Sequence, residues 1–106
     1  MCHDTTAQPR ALGWVDADRS PDIEQDRAAV ARLARRLGYG LVWPDEISAL
    51  PVSAQLPSIG ADTVLMPSLD HLDVAELRRV LEIADVETAS PRRSLPRRST
   101  VAGVVR

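Results

Sequence analysis

The chain has 106 residues, 44% of them apolar and 26% charged, with a formal net charge of −2. That size suits one small domain, the single cysteine (Cys2) excludes an internal disulfide, and no apolar run approaches the roughly 20 residues of a membrane-spanning helix. All 13 basic residues are arginine, which excludes chemistry that needs a lysine, such as a Schiff base or a phosphate-loop lysine. Residues 1–10 are polar and lack the apolar region of a secretory signal. They are expected to form a disordered head, and the protein to be cytoplasmic.

Residues 11–15 form a short apolar run ending at Asp16 and predict a first strand. Ser20-Pro21-Asp22 then opens a helix, with Ser20 as the expected N-cap and Pro21 as a favoured first residue. Ile23, Val30, Leu33, Ala34 and Leu37 fall on one face at helical spacing. Arg32, Arg35 and Arg36 enrich the last turns, and Gly38 supplies the stop. Residues 39–43 predict a second strand, stopped by Pro44. Residues 45–60 hold Pro51 and Pro57 without a sustained period and predict a loop. Residues 63–66 predict a third strand and 85–89 a fourth. Between them, Val74, Leu77, Val80, Leu81 and Ala84 give residues 73–84 a helical apolar face. The order predicts an α/β fold: a small parallel sheet of about four strands with flanking helices, spanning residues 11–90. Trp14 and Trp43 are expected to pack in the core.

Charge divides the chain. Eight arginines and all 15 acids precede residue 91, whereas five arginines and no acid follow it. Pro91 and Pro96 oppose a helix and the arginine pairs repel each other, so residues 91–106 are expected to be a basic, disordered arm. Arg92, Arg93, Arg97 and Arg98 are its candidate contacts to nucleic-acid phosphates. Against an acidic body, such binding should weaken steeply with salt.

In parallel sheets function gathers at the carboxyl ends of the strands. Asp16 and Asp18 follow the first expected strand, Asp45 and Glu46 the second, and Asp70 and His71 the third. Asp16-Ala17-Asp18 resembles the Asp-x-Asp motif of haloacid-dehalogenase-like phosphatases, where a nucleophilic aspartate works with magnesium. The alternative function is therefore a small metal-dependent phosphotransfer enzyme using Asp16 and Asp18. Such enzymes neutralise the phosphoryl group with a lysine, which is missing here. Cys2-His3 could capture copper or nickel only adventitiously, for want of a fixed ligand set.

The order of motifs resembles the catalytic domain of serine recombinases (resolvases and invertases). Ala11-Leu12-Gly13-Trp14-Val15-Asp16-Ala17-Asp18 is similar to the family's first strand, apolar-Gly-Tyr-x-Arg-Val-Ser. Asp26-Arg27 within residues 23–30 resembles its Leu-x-x-Gln-Arg-x-x-Leu helix. Arg36-Leu37-Gly38-Tyr39 with Leu41-Val42, and then Asp45-Glu46-Ile47-Ser48, resemble the second strand and the acidic turn. Residues 60–66 followed by Leu69-Asp70-His71-Leu72 resemble the stretch ending in Leu-Asp-Arg-Leu-x-Arg, and residues 76–84 the helix after it. The resemblance covers roughly residues 11–89 and implies a resolvase-like fold.

The departures fall on the chemistry. The family cuts DNA with a serine hydroxyl while arginines stabilise the charge that develops on the phosphate. The serine position falls on Asp18 and the strand-one arginine on Asp16. The later arginines fall on His71 and Val74, and the helix glutamine on Asp26. Asp70 and Arg27 match. Asp16, Asp18 and Asp70 are thus the candidates at the family site, with nucleophile and cations replaced. The segment between Ser48 and Gly60 is short for the family, as if a helix were lost. The long dimerisation helix and the DNA-reading helix-turn-helix have no counterpart in this sequence. The resemblance implies a catalytically inactive recombinase-like domain: an accessory or interaction protein, or a mobile-element remnant. It calls for no cofactor. Partners would be a second copy or another protein at an exposed sheet edge, and DNA through the arm.

Overall fold

The computed structural model describes residues 9–44 and 50–98. In chain order they form β1 (Arg10–Gly13), α1 (Ile23–Leu37), β2 (Gly40–Val42), α2 (Val52–Ile59) and β3 (Thr63–Met66). A single 3-10 turn (Leu69–His71), α3 (Val74–Leu81), β4 (Asp85–Ala89) and β5 (Arg92–Leu95) complete them. The fold is α/β. The five strands make one sheet in the order β2-β1-β3-β4-β5. β1 to β4 run parallel, and β5 turns back antiparallel on β4.

Alternation along the strands sends side chains to two cores. On β3, Val64 and Met66 join Leu12, Val86, Val52, Leu56 and Val80 under α2 and α3. Leu65 faces the other way and joins Ala11, Val30, Leu33 and Ala34 under α1. The sheet is therefore a middle layer with helices on both faces, which explains why β3 is buried at all four positions. Trp14 packs against the first core and Trp43 against the second, beside the strands rather than inside them. The last residue of β1 is a glycine, where a Cβ would lie 2.8 Å from Cζ3 of Trp43.

The ends of α1 show where local chemistry decides. Asp22, not Ser20, is the N-cap: its carboxylate accepts from the Gln25 N–H at 3.1 Å. Ser20 instead donates its hydroxyl to Asp26. Gly38 closes the helix with φ +84°, a conformation that an L side chain resists. α3 starts at Asp73, whose carboxylate accepts from the Glu76 N–H. Val74, expected on its apolar face, is 69% exposed.

Two expectations are corrected. Residues 52–59, where the prolines predict a loop, form helix α2. Val52, Gln55, Leu56 and Ile59 place one side against the core. Pro51 stands at the N-cap without a side-chain cap, and Glu76 of α3 takes over by accepting the Ser53 N–H at 2.7 Å. The second correction concerns the basic arm. Residues 92–95 are the fifth strand, and the next residues stay docked: Arg97 N–H donates to Asp85 and Arg98 N–H to the Leu81 carbonyl, both at 2.6 Å. Arg10 likewise belongs to β1 and not to a disordered head. Residues 1–8, 45–49 and 99–106 lie outside the described residues, and with them the head, Cys2-His3, Asp45-Glu46-Ile47-Ser48 and the end of the arm. Among the described residues no helix is long and apolar enough to cross a membrane.

Candidate functional site

From β1 the chain passes to β2 on one side, then returns to β3 on the other. That reversal is a topological switch point, where α/β sheets hold their ligands at the carboxyl ends of the strands. A cleft of about 230 Å³ opens there. Arg19 and Asp26 border it from the β1 side, Pro67, Ser68, Asp70 and His71 from the β3 side, and Ser90 from the end of β4.

His71 organises the cleft. It is buried, with 5% of its surface exposed. Its Nδ1 accepts the Asp16 N–H at 2.9 Å, and its backbone carbonyl accepts the Trp14 indole N–H at 2.9 Å. An imidazole that accepts at Nδ1 carries its proton on Nε2. Nε2 lies 3.9 Å from Asp26 Oδ2, an oxygen that also accepts the Ser20 hydroxyl at 2.6 Å. A serine, a histidine and a carboxylate therefore meet, but in the wrong order for nucleophilic catalysis. That chemistry needs the hydroxyl on the imidazole and the carboxylate behind it. Here the hydroxyl is on the carboxylate and the basic nitrogen is on backbone. In this arrangement the Nε2 side faces Asp26, and the Nδ1 lone pair is taken up by the Asp16 N–H.

The aspartates are organised in the same inward way. Asp16 Oδ1 accepts the Asp18 N–H at 2.9 Å, and the Asp16 carbonyl accepts from Arg19 and Ser20, each at 3.0 Å. These bonds wind residues 16–20 into a tight Asx-type turn. Asp18 is exposed. Asp70, also exposed, accepts the Ser68 hydroxyl. That hydrogen bond, with smaller help from its own backbone, His71 and Arg19, holds the Asp70 carboxyl below the ordinary aspartate range. Arg19 Nη1 crosses the cleft to the Asp70 carbonyl at 2.8 Å. The structure thus gathers Asp16 and Asp70 around the His71 side of one crevice, while Asp18 faces solvent on the turn. Among the described residues no three His, Cys, Asp or Glu side chains gather to hold a metal ion.

Sequence reasoning missed Arg19 and Ser68 here. The family motif places no cation at this position, yet Arg19 stands on the cleft wall. Its signal was present: it follows Asp16-Ala17-Asp18 directly, and an Asx turn at Asp16 carries it to the same rim. Of the other family positions, Val74 lies on the exposed start of α3. Arg27 sits over the Trp43 ring, 4.5 Å from its centroid.

The candidate nucleic-acid contacts lie elsewhere, on the β4–β5 edge. Arg92 reaches back to Glu87, with Nη1 2.9 Å from a buried Oε1 whose geometry is that of an ion pair rather than a hydrogen bond. Arg93, Arg97 and Arg98 are exposed. Comparison with family models, with curated proteins and with solved structures gave no match.

Proposed function

We propose that this chain is a catalytically inactive domain of serine-recombinase type that acts in the cytoplasm as an accessory or interaction module. The order of motifs along residues 11–89 supports the family. One observation supports the loss of strand cleavage: Asp18, Asp16 and His71, at the positions of the family's nucleophile and two of its arginines, carry groups bonded to each other. Asp16 gives its N–H to His71 and its carboxylate to the Asp18 N–H. Among the described residues the Ser20 and Ser68 hydroxyls donate to the Asp26 and Asp70 carboxylates, and neither donates to the imidazole, whose Nδ1 accepts the Asp16 N–H. The same polar groups that would handle a phosphate instead clamp the loop after β1 to the turn after β3.

Incubation with supercoiled and nicked DNA, followed by denaturing electrophoresis, tests this. No covalent protein–DNA adduct is expected, and an adduct overturns the reading. Phosphotransfer through Asp16 and Asp18 is separated by titrating magnesium in a calorimeter, with Asp18→Asn as control. Heat lost in that variant favours the phosphotransfer enzyme instead.

A further inference from the structure

We propose that Arg93, Arg97 and Arg98 form a docked rim that binds the phosphodiester backbone of a nucleic-acid duplex. The inference rests on charge and anchoring alone, independent of any recombinase ancestry. From residue 88 onward the chain has no acid. Of the acids near the rim, Glu87 pairs with Arg92 and Asp85 accepts the Arg97 N–H, while Glu82, next to the Leu81 carbonyl that takes the Arg98 N–H, is exposed. Two of these three carboxylates are thus already engaged, so three exposed guanidiniums face one exposed carboxylate, and beyond roughly 10 Å the field of the acidic body is screened at 0.1 M salt.

Anchoring matters as much as charge. A free arm must be ordered when it binds, and that ordering opposes affinity. Here the backbone is already ordered, through β5 and through the N–H groups of Arg97 and Arg98 on Asp85 and Leu81. The edge itself argues against a protein strand as occupant. It is four residues long, with Pro91 and Pro96 at its ends, features that block strand addition. A second copy pairing there antiparallel would set Arg92 opposite Leu95 and Arg93 opposite Ser94, and crowd four arginines onto one short ladder. A polymer of phosphates suits a short, proline-bounded, guanidinium-bearing edge, because arginine pairs phosphate oxygens bidentately.

The test is fluorescence anisotropy of the full chain with a short labelled duplex across a salt series. Each neutralised phosphate contributes about −0.9 to the slope of log K against log salt, so three arginines predict a slope of about −2 to −3. The triple variant Arg93→Gln, Arg97→Gln, Arg98→Gln should lose measurable binding. A control that removes equal charge from α1, Arg32→Gln, Arg35→Gln, Arg36→Gln, should keep it. Circular dichroism and the urea midpoint confirm that both variants are folded. If the wild type does not bind, if the rim variant still binds, or if both variants lose binding alike, the proposal is wrong. Capture of inorganic polyphosphate but not duplex overturns the nucleic-acid assignment.

Discussion

The crevice at the β1/β3 switch point and the rim along β5 are both rich in polar groups, and they use them oppositely. In the crevice, hydrogen bonds tie Trp14 and Asp16 to His71 and Ser20 to Asp26, with Asp26 3.9 Å from the imidazole, and the polar groups face one another. On the rim, backbone N–H groups do the anchoring and the arginine side chains stay exposed. A polar cluster at the place where a fold usually works is not by itself a working site. What decides is whether donors and acceptors already satisfy one another.

If that contrast holds, substitutions in the crevice should act on stability and those on the rim on binding. The largest effect is expected for His71→Ala. It leaves a cavity and removes the acceptor of the Asp16 N–H, a loss of roughly 2–4 kcal/mol in urea unfolding. A loss near zero would mean that the crevice is not a clamp. Gly13→Ala is next: its Cβ would press on Trp43 at 2.8 Å, and such overpacking costs about 1–3 kcal/mol by the same measurement. Arg92→Gln leaves a buried Glu87 oxygen without its cation, but Arg92 is itself 39% exposed. About 1 kcal/mol or less follows, readable as a small shift of the urea midpoint. The rim variant Arg93→Gln, Arg97→Gln, Arg98→Gln should change stability by no more than about 0.5 kcal/mol.

The smallest effect is a titration. Because the Asp70 carboxyl is held below the ordinary range, its contribution to stability is complete above the unfolded value of about 3.9. It fades as pH falls through the lower folded value. NMR titration should show Asp70 ionising at unusually low pH, and Ser68→Ala should raise that midpoint towards the ordinary one.

Much of the fold was legible because periodicity survives where strands and helices bury one face. β3 and β4 fall at the expected residues, and α1 ends at the expected glycine. Helix α2 was hidden by its prolines. Pro51 sits at the N-cap and Pro57 in the last turn, positions where a short helix tolerates them. The stripe of Val52, Gln55, Leu56 and Ile59 was interrupted for the reader by a buried glutamine, whose amide donates to the Leu50 carbonyl. Strand β5 was hidden by composition. Arg-Arg-Ser-Leu carries only Leu95 toward the core, because an edge strand needs little apolar surface. At the crevice, the spacing puts Asp16 after β1 and Asp70 and His71 after β3, where the Asp16 N–H meets the imidazole. It could not show which atoms face each other. The proton position on His71 depends on the Asp16 N–H, a backbone group that no motif records.

The contact between Glu76 and Ser53 has a kinetic side. α2 has eight residues, a proline within, and no side-chain cap of its own, so its first turn leans on α3 through the Glu76 carboxylate. In native-state hydrogen exchange the Ser53 amide should therefore open together with α3 as one cooperative unit, although α2 and α3 are separated along the chain by a whole strand.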